Sequence, residues 1–147
     1  MESSAHVLVV ADKTAATPAL LEALRARAFR APARFHLVVP NPDVASWRPS
    51  SVQHPDLTHG EQVLALALPL IEDATDCPVT GSVSSRHDPM DAIEEALRRE
   101  HFDEIVLSTL PHPVSRWLHV DLPGRVAHLG LPVTTVTARS HAMAAGG

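Results

Sequence analysis

Short, mostly apolar runs alternate along this chain with longer stretches whose apolar residues recur at helical spacing. HVLVVA at 6–11, RFHLVV at 34–39, EIVL at 104–107 and LPVTTV at 131–136 are too short for helices and predict strands. The first is apolar almost throughout, the pattern of a strand buried on both faces, which is the habit of parallel sheets. In 78–84 the pattern is weaker, but Val79, Gly81 and Val83 share one side and predict a further strand. Between these runs, 15–29 places Leu20, Leu21, Leu24 and Ala28 on one stripe, with Glu22, Arg25 and Arg27 off it. Thr17 is the expected N-cap, and Pro18 takes the first helical position, where its missing N–H costs nothing. The stretch 88–100 reads as a helix for the same reasons. Asp88 is its cap, Pro89 its first residue, Asp91 adds negative charge to the first turn, and Met90, Ile93 and Leu97 form its stripe.

The stretch 57–75 is apolar on every face through VLALALPLI. Its alternation would also fit a strand; its length and its Leu/Ala content predict a helix, with Thr58 and Glu61 in a capping-box pattern. Such a helix wants cover on more than one side, or a kink at Pro69. A short helix is expected over 121–129, capped by Asp121, with Pro123 in its first turn and Gly130 as a left-handed stop. Residues 41–56, broken by Pro42, Pro49 and Pro55, read as one long loop, and Ser84, Ser85, Arg86 and His87 as an exposed loop. The expected order is βαβαβαβαβ. That alternation implies an α/β fold: one domain over 6–137, a single five-stranded parallel sheet of order 3-2-1-4-5, helices on both faces and right-handed crossovers. Residues 138–147 are expected to be a flexible C-terminal tail. The ligand crevice of such a sheet lies at the carboxyl ends of its first and fourth strands, here Asp12 to Thr14 and Ser108 to Pro113.

Composition narrows the partners. The chain has 147 residues, net charge −5 and only 3 % aromatic residues, so neither a nucleic acid nor an anionic membrane is an expected partner. The apolar run at 63–71 is too short to span a bilayer. The opening MESSAHVLVV has no basic segment followed by a long apolar one, and a cytoplasmic location is the expectation. A single cysteine, Cys77, excludes an internal disulfide and reads as a packing residue.

Three segments together resemble the universal stress protein family, within the wider group of adenine-nucleotide α-hydrolase-like folds. They are VLVVAD at the first strand, DPMDAIEEALRREHFDEIVLST across the third helix and fourth strand, and RVAHLGLPVTTV at the end. The resemblance covers about the whole of 6–137. It implies the fold and a homodimer, and in similar proteins an acid after the first strand, here Asp12, contacts the nucleotide. The family's ATP-binding members carry G-x-x-G, a spacer and then G-[S/T] after the fourth strand. Here Ser108 stands at the first glycine, Leu110, Pro111 and His112 offer no second one, and the closing pair falls near Asp121 and Leu122. Pro111 and Pro113 remove backbone donors, and a carboxylate at Asp121 opposes a phosphate at the same helix terminus. ATP is therefore the nucleotide that the layout admits and the residues disfavour, and no other cofactor is expected.

The candidate crevice residues are Asp12, Val39, Ser108, Thr109, Arg116 and Asp121. Hydroxyls at strand ends can bind a ribose or phosphate, but they also cap loops. Trp117 is expected to fold back as a hydrophobic clip. Two histidine groups, His112, His119 and Asp121 in one loop and His54, Asp56 and His59 in another, have ligand chemistry suited to zinc but no helical H-E-x-x-H pair, and no metal is expected. G-x-S-x-G and Walker A patterns are both missing, and no nucleophile–base pair stands out, so enzymatic activity finds little support. The expected role is a universal-stress-type regulatory or stress-response module, non-catalytic, with degenerate or lost ATP binding. The alternative is an ATP-binding switch or weak ATPase using the same crevice. Val133, Thr135 and Val136 on the last strand form the expected dimer element, with the apolar helix at 57–75 as a second candidate surface.

Overall fold

The computed structural model describes residues 4–11, 14–40, 59–84, 88–109, 117 and 120–137. Its elements are β1 (Ala5–Val10), α1 (Pro18–Arg30), β2 (Ala33–Val39), α2 (His59–Thr75), β3 (Val79–Val83), α3 (Pro89–Arg99), β4 (Glu104–Thr109), α4 (Leu122–Ala127) and β5 (Val133–Thr137). All strand pairs are parallel and the order is β3-β2-β1-β4-β5. This is the expected sheet, with β1 at its centre.

Strand alternation splits the core into two layers. Val7, Val9 and Ala11 of the first strand and its end, with Phe35, Leu37 and Val39, meet Leu20 and Leu24 of α1 and Ala67 and Ile71 of α2. The opposite face carries Leu8, Val10, Ile105 and Leu107 against Ile93 of α3 and Val126 of α4. Residues 7–11 are fully buried, which explains why that run is apolar at every position. Two of the predicted helix starts hold. The Thr17 hydroxyl accepts from the Leu20 N–H at 3.4 Å, and the Asp88 carboxylate accepts from the Met90 N–H at 2.8 Å. Gly130 takes φ +88°, the left-handed stop expected after α4.

The helix α2 departs from expectation. It runs past Pro69 without interruption, yet it is covered on one side only: Ala67 and Ile71 are buried, whereas Leu66 and Leu70 stay exposed. It lies close against β3 because Gly81 leaves room there. A Cβ on Gly81 would come within 2.7 Å of a Leu64 methyl and 3.0 Å of a Leu68 methyl. The expected cap Thr58, the loop 41–56 and the tail 138–147 lie outside the described residues.

The amino ends of β1 and β4 are tied together by polar groups. The His6 N–H donates to the Asp103 carboxylate at 2.8 Å, and the Asp103 N–H returns a bond to the His6 carbonyl at 2.8 Å. That donated N–H holds the Asp103 carboxyl below the usual carboxylate range. Arg27 of α1 forms a two-pronged pair with Glu104, at 2.9 and 3.0 Å, and the Glu104 carboxylate raises the already high Arg27 pKa. His36 sits between two hydroxyls of β3, Thr80 at 2.7 Å and Ser82 at 3.0 Å, and burial pushes its imidazole pKa down. None of these groups lies at the carboxyl end of the sheet, where a crevice would form.

Candidate functional site

The carboxyl ends of β1 and β4 are adjacent in the sheet, while the chain leaves them toward opposite sides: after β1 it returns as β2, and after β4 as β5. This is the point at which the strand order reverses and open α/β sheets bind ligands. The β1–α1 turn and the end of β4 build it.

Ser108 and Thr109 were expected just beyond the fourth strand. They are instead its last two residues, paired in register with Val136 and Thr137 and each only 2 % exposed. The strand continues because β5 supplies backbone partners that far, which a sequence pattern broken by two hydroxyl residues does not reveal. Their side chains point to opposite faces, as successive strand residues must.

The Ser108 hydroxyl lies 2.6 Å from the hydroxyl of Thr14 and donates to the Thr14 carbonyl at 3.4 Å. One proton arrangement satisfies both contacts: Thr14 donates to Ser108, and Ser108 donates to the carbonyl. That carbonyl also accepts from the Thr17 N–H at 3.2 Å and the Thr17 hydroxyl at 3.0 Å. The turn entering α1 is thereby stitched to β4. The sequence placed Thr14 in the crevice only as the end of the 12–14 segment; no local pattern marks its contact, which joins residues 94 positions apart. Thr109 is the opposite case. Its hydroxyl is buried and finds no hydrogen-bond partner among the described residues. Buried polar groups are almost always paired, so this atom is the anomaly of the site.

The other described candidates are not part of this contact. Val39 is fully buried in the α1/α2 layer and its carbonyl accepts from the Ser84 N–H at 2.9 Å, so it is a core residue. Ser84, expected in an exposed loop, is buried, and its hydroxyl donates to Glu95 of α3 at 2.9 Å. Ser85, Arg86 and His87 are outside the described residues, as are Asp12, Arg116, His54, Asp56, His112 and His119. Trp117 is half-buried against the α3/α4 layer, the clip expected for it.

Asp121 does precede α4, but it does not cap it in the expected way. It adopts a left-handed backbone, φ 54° and ψ 45°, and its carboxylate makes no capping hydrogen bond. The helix begins Leu122-Pro123, so the second N–H, a usual partner of a capping side chain, does not exist. The carboxylate lies instead against Gly124, where an added Cβ would collide with it. Among the described residues, no three His, Cys, Asp or Glu side chains are grouped closely enough to hold a metal ion, and no helix is long and apolar enough to cross a membrane.

No protein-family model and no curated protein matches the sequence. Solved structures do match. A universal stress protein from Archaeoglobus fulgidus superposes with a TM-score of 0.62 at 15 % identity, covering 90 % of this chain and 93 % of its own. A universal stress protein family protein from Arabidopsis thaliana with AMP bound gives 0.62 at 15 %, covering 92 % and 93 %. A protein of that family from Burkholderia pseudomallei gives 0.55 at 22 %, covering 89 % and 94 %. Further structures of such proteins hold dAMP and cAMP. Likeness over about nine-tenths of the chain identifies the fold as that of the universal stress proteins.

Proposed function

We propose that this chain is a non-catalytic regulatory module of the universal stress type, whose nucleotide crevice has lost the glycine cradle for a triphosphate. The observation that carries this reading is the Thr14–Ser108 pair. It stands where the strand order reverses and ties the β1–α1 turn to β4, so the Ser108 hydroxyl already has an internal partner. The sequence that follows contains Pro111 and Pro113, which have no N–H to offer a phosphate. No nucleophile with an adjacent general base stands among the described crevice residues.

A second reading, a nucleotide-binding switch, is favoured by one observation, the unpartnered Thr109 hydroxyl. A ribose or monophosphate oxygen would supply the bond it lacks, and the related structures that hold AMP, dAMP and cAMP fit a ligand without a triphosphate tail. Isothermal calorimetry with ATP and Mg²⁺, and separately with AMP, tells the two apart. The first reading expects millimolar affinity or none for both. Micromolar ATP binding that disappears in Asp12→Ala would overturn it. Micromolar AMP binding weakened in Thr109→Val would establish the second.

The module is proposed to act as a homodimer through β5. The Ile105 N–H donates to the Pro132 carbonyl, so the alternation of a parallel ladder turns the N–H groups of Thr134 and Val136 toward β4 and those of Val133, Thr135 and Thr137 away from it. A second β5 can pair with that outer row. Thr135→Pro deletes one outward donor and leaves the ladder to β4 intact. Sedimentation of this variant is expected to show a lower mass than the unaltered chain; an unchanged mass would mean that β5 forms no contact between copies.

A further inference from the structure

The outer surfaces of α1 and α2 carry two patches that neither the core nor the crevice uses. In the last turn of α1, Phe29 is 92 % exposed and flanked by exposed Arg25 and Arg30. Arg27 is held by Glu104, but Arg25 and Arg30 have no ion-pair partner among the described residues. Glu22, one turn earlier, marks the end of this basic stretch and lines a shallow groove with Arg25, Ala26 and Phe29. An aromatic ring left in water beside two unpaired guanidinium groups has the composition of an interface anchor.

The α2 patch is its complement. Leu66 and Leu70, one turn apart, are 62 % and 39 % exposed. Exposed Glu72 and Asp73 follow in the last turns, and the last turn has no basic residue. Carboxylates there face the negative end of the helix dipole, so α2 lacks the cation that a helix C-terminus favours, while α1 holds two unpaired ones.

Geometry lets a second copy join the two patches. Each helix follows one strand of a parallel sheet and returns the chain to the start of the next, so α1 and α2 run in the same direction, side by side on one face. Turning one copy by half a turn about an axis parallel to these helices sets α1 of each molecule on α2 of the other with their carboxyl ends level. The contact is then made twice, as two-fold symmetry requires. We propose that this face is a symmetric interface between two copies of the chain, with Phe29 reaching the partner's Leu70 and with Arg25 and Arg30 meeting the partner's Glu72 and Asp73. The proposal does not depend on pairing at β5.

The charge pattern makes the test specific. One full-length variant carries Arg25→Glu and Arg30→Glu, and another carries Glu72→Lys and Asp73→Lys. Each repels its own copies at both contacts, but a mixed pair has opposite charges at both. Native mass spectrometry is expected to show each variant alone losing self-association by about tenfold or more, and an equimolar mixture recovering it as a heteromer. Repeating the series on Thr135→Pro separates this face from any assembly at β5, and thermal melts followed by circular dichroism confirm that the variants are folded. Three results would each overturn the proposal: a monomeric unaltered chain, single variants that assemble as before, or a folded mixture that forms no heteromer.

Discussion

Replacing Phe102 by Ala is expected to remove about 3–5 kcal/mol of folding stability, a large share of the roughly 5–15 kcal/mol that a domain of this kind has in total. Phe102 is 2 % exposed and belongs to the α3/α4 layer. Its ring lies 4.2 Å from that of His6 and 6.1 Å from that of His36, centre to centre, so it packs against β1 and β2 at once. The next residue, Asp103, carries the paired bonds to His6 that begin the β1–β4 pairing. The lost ring leaves a cavity under two strands that cannot close without breaking those bonds. Phe29→Ala is the control. That ring is in water, and its removal is expected to change monomer stability by no more than about 0.5 kcal/mol. Guanidinium titrations of both variants, at concentrations where the chain is monomeric, measure the contrast. Similar midpoints would mean that Phe102 is not the packed residue described.

The second large effect is a difference in sign between neighbours. Ser108→Ala is expected to destabilise the fold by about 1–3 kcal/mol, because it leaves the buried Thr14 hydroxyl without its partner. Thr109→Val removes a buried hydroxyl that has no partner and keeps the shape, so it is expected to stabilise the ligand-free chain by about 1 kcal/mol or more. Chemical denaturation of the two variants decides the matter. A loss of stability in Thr109→Val would mean that its hydroxyl is bonded in solution. A gain, together with weaker nucleotide binding, would make Thr109 a residue kept for a ligand at the expense of stability.

Much of the fold was legible because local chemistry and global placement agree. The run 7–11 is apolar throughout because β1 is flanked by strands and covered on both faces. Thr17-Pro18 and Asp88-Pro89 announce helix starts through bonds made within one turn. Where prediction failed, the deciding contact lay outside the window being read. Ser108 and Thr109 look like residues just past the strand until β5 is seen to pair with them. Asp121 is the exception: the deciding residue, Pro123, is two positions away and removes an N–H that a capping side chain would bind. Ser84 looks exposed until Glu95 of α3 is placed above it.

The same division runs through the candidate site. Apolar periodicity, capping residues and proline positions are short-range properties, and together they led to an α/β chain with its sheet order and the two strand ends that flank the crevice. Whether those strand ends hold open hydroxyls or closed ones is a long-range property. It depends on how the β1–α1 turn meets β4 across 94 residues of sequence, and that meeting occupies Ser108 while leaving Thr109 without a partner. Side-chain hydrogen bonds form only within about 3.5 Å, a scale that strand register and helix packing set and that composition and spacing do not resolve.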